Sequence, residues 1–470
     1  MIFRRTKIVC TIGPATDSDE MIAKLITAGM NVARVNFSHG THEYHRGVIR
    51  RIKRVRRALN KPVAILQDLQ GPKIRIGIIG SGIVELKPGQ KFVLTADDVG
   101  GDENRASVSL KSLPHEVSAG HPILLADGNI ELRVEKVVPP DIQCRVIVGG
   151  LLSSHKGINL PASELHVDSM TKKDRKDIVV GLEEGVDAIA LSFVRRVNDV
   201  MAARKVIKDH DGNVPIVAKI EKHEAVDNID SIVAASNAVM VARGDLGVEI
   251  DLERVPLVQK AIIRKCNALG KPVITATQML QRMVDNPRPT RAEATDVANA
   301  ILDGTDAVML SEETAVGKYP AEAVMMMDRI ARSAESALDE LKFENIPIEN
   351  STDDAISRSS YFIAKDIGAA AIIIPTWTGS TACLVARFRP KQPIIATTPN
   401  EAALDFLSLC WGVVPLQISP SDNIDDMIRF SIEAARRAGY IASGQQVIIT
   451  GGMPLQVAGK TNFIKVERLN

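Results

Sequence analysis

Eight short apolar runs, rich in β-branched residues and separated by helical stretches, constrain the fold of this chain more than any other feature. Three of them, at residues 6–13, 31–38 and 63–70, follow one another closely. After a change of pattern the rhythm resumes at 186–193, 214–221, 237–243, 272–277 and 306–311. Strand-like runs alternating with helical segments are the mark of βα units and a parallel sheet. Three plus five gives eight, the number that closes a (β/α)8 TIM barrel, here interrupted after strand three. Two separate open sheets would show the same rhythm, and the count alone leaves that alternative open.

The interruption, about 71–168, reads differently. The run Ile130-Glu131-Leu132-Arg133-Val134-Glu135 alternates with period two, and Asp127-Gly128 marks a turn. Alternation broken by turns predicts a small antiparallel β domain, a β-barrel lid hinged over the barrel's mouth. A third region follows, with strand-like runs at 369–376, 393–398, 413–417 and 446–451 and a helical stretch at 353–367. It predicts a C-terminal open α/β domain. The expected α/β organisation is therefore a barrel at 1–70 and 169–343, a lid at 71–168 and a further domain at 344–470.

Composition excludes several classes of function. A net charge of +1 gives no overall basic field for nucleic acid or an anionic membrane. Aromatic residues make up only 3%, with no basic, aromatic-interleaved stretch for stacking on bases. No apolar run approaches the ~20 residues a membrane helix needs. Cys10, Cys144, Cys266, Cys383 and Cys410 are scattered without metal-ligand spacing, which predicts buried, reduced thiols and a cytoplasmic location. The N-terminus leads straight into a strand-like run rather than a signal peptide.

A barrel of this kind carries its active site at the C-terminal ends of its strands. Strand two ends in Arg34, Asn36 and Ser38, strand three in Asp68, strand five in Lys219 and Glu221. Strand six runs into Arg243-Gly244-Asp245, strand seven ends at Thr277, and strand eight leads to Ser311 and Glu313. Lys219 and Glu221 are two apart and face the same way. Glu221 and Asp245 end adjacent strands, and two such carboxylates suit Mg²⁺ or Mn²⁺ that keeps water and phosphate oxygens. A salt bridge from Lys219 to Glu221 or Asp245 explains the same residues equally well. The Gly244-Asp245-Leu246-Gly247 segment offers backbone N–H groups to an anion.

Six segments then become recognisable together. They are Asn-Val-Ala-Arg-Val-Asn-Phe-Ser-His-Gly at 31–40, Ala-Lys-Ile-Glu-Lys-His-Glu at 218–224 and Met-Val-Ala-Arg-Gly-Asp-Leu-Gly at 240–247. With them stand Thr-Ala-Thr-Gln-Met-Leu at 275–280, Pro-Thr-Arg-Ala-Glu at 289–293 and Leu-Ser-Glu-Glu-Thr-Ala at 310–315. In this order, across 6–466, they resemble the pyruvate kinase family. The resemblance implies phosphoryl transfer between phosphoenolpyruvate and ADP, giving pyruvate and ATP. It implies that Lys219 stabilises the transferring phosphoryl group and that Arg34 clamps the phosphate. Glu221 and Asp245 would hold Mg²⁺, while Gly244, Asp245 and Thr277 would orient the substrate carboxylate. Nucleotide would meet Asn36, Ser38, His39, Arg75 and Lys156, although a structural His39 is an equal reading. Thr277 and Ser311, through water, are the candidates for protonating the enolate. The resemblance also implies a homotetramer.

One stretch departs from the family's usual pattern. The family's monovalent cation site corresponds to Asn36, Ser38, Asp68 and the backbone of Leu69. Residues 68–75 read Asp-Leu-Gln-Gly-Pro-Lys-Ile-Arg, placing Lys73 where the family commonly has an acid. Its ammonium is expected to replace the charge of K⁺. In the third domain, Thr376, Thr378, Gly379, Ser380 and Thr381 resemble the family's loop for a phosphorylated effector. An ordinary Thr/Ser-capped helix start is the plainer alternative. A lyase or aldolase acting on phosphoenolpyruvate would not need the lid with Arg75 and Lys156. A non-catalytic sugar-phosphate sensor would have no use for Lys219, Glu221, Asp245 and Thr277.

Overall fold

The computed structural model describes residues 4–161, 163, 168–338, 351–454 and 460–470. The eight expected strands form one closed parallel barrel: β1 (Lys7–Ile12), β2 (Val32–Asn36), β3 (Ala64–Asp68), β4 (Ala188–Leu191), β5 (Ile216–Ile220), β6 (Ala238–Ala242), β7 (Val273–Ala276) and β8 (Ala307–Leu310). Each strand pairs with its neighbours in sequence order, and β8 closes onto β1. The alternative of two open sheets is thereby excluded.

Continuous apolar runs are what such strands require, because both faces are covered. Ile8, Cys10, Ala33, Val35, Ile65, Ile189, Val239 and Val308 point outward into the core shared with the helices. Val9, Val32, Ala64, Leu66, Ala188, Val217, Met240 and Ile274 fill the interior. Leu409, from the C-terminal region, joins the interior cluster and closes the barrel at its lower end.

Between β3 and β4 the chain forms a six-stranded sheet and a separate two-stranded ribbon. The sheet runs Ile158–Asn159, Pro122–Leu125, Ile130–Val138, Asp141–Val148, Lys91–Thr95, Arg105–Ser107. It is antiparallel except for the final pair, which is parallel. Phe92, Leu94, Ile123, Leu132 and Cys144 build its own core.

The C-terminal sheet is ordered Val413–Gln417, Ile394–Thr398, Ile372–Pro375, Gln446–Gly451, Phe463–Arg468. Its first four strands are parallel and the last is antiparallel. That last strand, half exposed and carrying Lys465, Glu467 and Arg468, lacks the apolar run that marks the other four. The expected boundary at 343/344 lies outside the described residues.

Candidate active site

The barrel interior explains why the polar groups gather at one end. Inward positions recur every second residue, and along β2 they read Val32, Arg34, Asn36. Along β3 they read Ala64, Leu66, Asp68, and along β5 Val217, then Lys219, with Glu221 just beyond. The same period gives Val9–Thr11, Ala190–Ser192 and Met309–Ser311. Small or apolar residues fill the lower layers, apart from Lys7, whose buried ammonium donates to the Val413 carbonyl at 2.7 Å, and carboxylates appear in the layer at the C-terminal ends.

Lys219 is the hub of that layer. Its Nζ lies 2.7 Å from Ser192 Oγ, 2.9 Å from Glu221 Oε1 and 3.1 Å from Asp68 Oδ1. Arg34 Nε donates to Asp68 Oδ2 at 2.6 Å, and its Nη1 donates to Thr11 Oγ1 at 3.0 Å. Two cations thus share one fully buried carboxylate. Burial would raise the proton affinity of Asp68, but Lys219 and Arg34 outweigh it and hold the carboxyl below its usual range. Burial works against the charge on Lys219 too, and Asp68 and Glu221 reverse that, keeping the ammonium protonated. Glu221 goes the other way: burial and the nearby Asp245 carboxylate push it above the ordinary range, against the pull of Lys219. Its Oε2 accepts the Phe193 N–H at 2.7 Å.

The Arg243–Glu249 helix begins where β6 ends and carries Gly244 and Asp245 at its start. The Gly244 N–H donates to Thr277 Oγ1 at 2.8 Å, and that hydroxyl donates to the Ala276 carbonyl at 2.7 Å. Thr277 sits at φ +68°. A β-branched residue in the left-handed region carries strain of about 1–3 kcal/mol, and such strain clusters at functional sites. Arg243 holds it there, donating Nη2 to the Thr277 carbonyl at 2.7 Å while Nη1 bonds Asp296 at 2.8 Å. Ser311 points its Oγ to the same end, buried and without a hydrogen-bond partner.

Lid residues approach from one side. Lys73 Nζ lies 3.3 Å from Asp245 Oδ1. The half-buried Arg75 donates to the His155 carbonyl at 3.0 Å, beside the exposed Lys156. Asn159, on the lid sheet, donates to Glu249 Oε1 at 2.9 Å, and Lys222 reaches the same oxygen at 2.7 Å. On the barrel rim the Ser38 N–H donates to Asn36 Oδ1, and the Leu69 carbonyl accepts the Ser192 hydroxyl. His39 is exposed, and its carbonyl accepts from the ring of His45 at 2.7 Å.

Ser192, Thr11, Arg243 and Glu249 are contacts that the sequence reading did not assign. Thr11 and Ser192 end strands one and four, so the rule of strand ends finds them when applied to all eight strands. Arg243 and Glu249 reach their partners through tertiary geometry that no spacing reveals.

Glu221 and Asp245 offer hard oxygen donors with no histidine or thiol. Among the described residues no cluster of three or more His, Cys, Asp or Glu is arranged to cage a metal. Two carboxylates, one of them raised in proton affinity by burial, fit a divalent cation that completes its shell with water and substrate.

In the C-terminal region the loop after Ile372–Pro375 lies where the strand order reverses, the crevice in which open α/β sheets bind ligands. Thr376 Oγ1 accepts the Gly379 N–H at 2.9 Å, and the hydroxyls of Thr378 and Ser380 are 3.2 Å apart. Thr381 instead turns inward, buried with its hydroxyl 2.7 Å from that of Thr461.

A closed parallel barrel with a cationic and carboxylate cluster at one mouth defines a (β/α)8-barrel enzyme for small anionic substrates. The sequence matches the family model described as pyruvate kinase, barrel domain, over residues 3–324, and that described as pyruvate kinase, alpha/beta domain, over 354–467. A pyruvate kinase of Clostridium acetobutylicum is 46% identical over 469 residues, covering 99% of each chain. One from Geobacillus stearothermophilus is 49% identical over 470 residues, covering 99% of this chain and 80% of its own. Pyruvate kinase 2 of Synechocystis sp. is also 49% identical, over 471 residues and 79% of its own length. The chain belongs to the pyruvate kinase family, and its activity is the pyruvate kinase reaction of glycolysis. Phosphoenolpyruvate, ADP, ATP and pyruvate are its substrates and products, and the family is metal-dependent. No helix among the described residues is long and apolar enough to cross a membrane.

Proposed function

We propose that phosphoryl transfer is carried out at the mouth of the barrel by Lys219, Arg34 and Thr277, with Glu221 and Asp245 holding Mg²⁺ or Mn²⁺. The observation that carries this reading is the Lys219 hub, where one ammonium meets Asp68, Glu221 and Ser192 within 3.1 Å. Lys219 and Arg34 present positive charge to a phosphoryl group whose transition-state charge is spread over its oxygens. Both are prepositioned by Asp68, so little reorganisation is needed when substrate arrives. The Gly244 and Asp245 amides and the Thr277 hydroxyl orient the substrate carboxylate. A bound divalent cation supplies electrophilic stabilisation of the phosphate and enol oxygens. Thr277 and Ser311, through water, deliver the final proton, a role favoured by the unpartnered Ser311 hydroxyl.

Asn36, Ser38, His39, Arg75 and Lys156 are proposed to meet the nucleotide, Arg75 and Lys156 from the lid. Lys73, 3.3 Å from Asp245, brings a fixed cation to the site, so K⁺ at Asn36, Ser38, Asp68 and Leu69 is dispensable. The loop Thr376–Ser380, with Thr381 behind it, is proposed to hold a phosphorylated effector at the reversal of strand order. The proposed division is 1–70 with 169–343 for the barrel, 71–168 for the lid and 344–470 for the regulatory domain, assembled as a cytoplasmic homotetramer.

Initial rates against Mg²⁺ in potassium-free buffer, for wild type and Glu221→Gln, test this reading. Full turnover without potassium is expected, with the variant needing at least about tenfold more Mg²⁺. Turnover that appears only on adding potassium, or a variant with unchanged Mg²⁺ demand, would overturn it.

A further inference from the structure

The five cysteines are scattered in sequence, but the fold brings two of them together. Cys383 lies on the Ser380–Ala386 helix and Cys410 directly precedes Trp411, and their sulfurs are 2.8 Å apart. Closing that gap to the ~2.05 Å of a disulfide asks for a movement of less than about 1 Å. Cys383 is partly exposed while Cys10, Cys144, Cys266 and Cys410 are buried. Burial pushes the Cys144 thiol up to about 12, and Cys10 and Cys266 higher still, which leaves them inert. We propose that Cys383 and Cys410 form a reversible dithiol–disulfide site that clamps the Ser380–Ala386 helix to the segment plugging the barrel.

The surroundings favour chemistry at this pair. The hydrogen bond shared with Cys383, and then burial, keep the proton on Cys410, and either sulfur of the pair can act as the donor. The Lys271 ammonium, at the edge of the barrel, interacts electrostatically with Cys383. Lys7 and Asp306 bear on Cys410 with opposite signs. With a hydroperoxide as oxidant, the Cys383 sulfur attacks the peroxide oxygen, giving a sulfenic acid and releasing water. The Cys410 sulfur then attacks Cys383, its proton leaving with the displaced hydroxyl as a second water. Two thiols and one hydrogen peroxide become one disulfide and two waters.

The position gives the bond a mechanical consequence. The helix carrying Cys383 touches the barrel through Arg387, whose Nη1 donates to the Ala268 carbonyl at 2.8 Å. Leu384 packs against Gly270. Cys410 stands between Leu409, inside the barrel's interior cluster, and Trp411, under the guanidinium of Arg389 at 4.8 Å. A disulfide therefore ties a helix at the domain boundary to a segment already anchored in the barrel.

The test uses the full chain, treated with one equivalent of hydrogen peroxide under native conditions. Of the five thiols, two are expected to disappear, with a Cys383–Cys410 cross-linked peptide in non-reducing mass spectrometry and recovery with dithiothreitol. Amide exchange within 380–386 is expected to slow in the oxidised form. Cys383→Ser is expected to abolish the cross-link. Cys410→Ser leaves a sulfenic acid on Cys383 that dimedone labels and wild type lacks. An unchanged thiol count, a cross-link through another cysteine, or Cys383 over-oxidised without cross-linking would overturn the proposal. Equal amide exchange in both forms would remove the clamp.

Discussion

Asp405 is a carboxylate whose removal is expected to change the pH dependence of stability. It sits where the Glu401–Phe406 helix meets the barrel, with Oδ2 2.8 Å from Arg56, while the same guanidinium holds Asp187 at 2.7 Å. Burial, then the Asp187 charge, raises Asp405 to about 7, with Arg56 and Lys53 opposing and Glu401 adding to the rise. An unfolded aspartate titrates near 3.9, so between about 4 and 7 the folded chain keeps a proton that the unfolded chain has lost. This group's contribution is therefore best at low pH, and stability falls as pH rises through that window. Each pH unit is worth about 1.4 kcal/mol, and roughly two units of the shift lie between pH 5 and 8, giving about 2–3 kcal/mol. Asp405→Asn keeps an acceptor for Arg56 and removes the charge. Urea unfolding at pH 5 and pH 8 is expected to show the variant gaining about 2–3 kcal/mol on wild type from the lower to the higher pH. Parallel pH profiles for the two proteins would refute the reasoning.

Two further substitutions separate stability from activity. Thr277→Gly relieves the left-handed backbone but loses the hydroxyl that accepts from Gly244, so stability is expected to stay within about 1 kcal/mol. Its kcat is expected to fall about 10²–10³-fold, as for loss of one prepositioned donor; equal kcat would refute the assignment. Arg389 bonds Asp306 at 3.0 Å and Asn267 at 2.9 Å, with its guanidinium over the Trp411 ring. Arg389→Ala strands a buried carboxylate and is expected to cost about 3–5 kcal/mol in urea unfolding. A loss below about 1 kcal/mol would contradict that account.

Much of this architecture was legible because the parallel barrel needs strands buried on both faces, and such strands read as unbroken apolar runs. The eight barrel strands and four of the five C-terminal strands were visible for that reason. Phe463–Arg468 was not, since this antiparallel edge strand is exposed at Lys465, Val466 and Arg468, on both faces, and three of its six residues are charged. In the lid, alternation signalled strands but not the parallel pairing of Lys91–Thr95 with Arg105–Ser107, which depends on how the chain loops back. Strand-end positions predicted the gathering of Arg34, Asp68, Lys219 and Glu221. They carried no sign that Asp68 is shared by two cations, because partner choice depends on side-chain reach across the barrel. The Cys383–Cys410 pair was equally silent, its members lying 27 residues apart with a strand between them.

The central claim rests on Lys219, and pyruvate formation from phosphoenolpyruvate and ADP with Mg²⁺ tests it most directly. Wild type is to be compared with Lys219→Met, whose side chain fills the space without the charge. A loss of at least about 10³-fold in kcat with the fold intact is predicted, the scale of a cation that stabilises phosphoryl transfer. Turnover in the variant within tenfold of wild type would contradict the account.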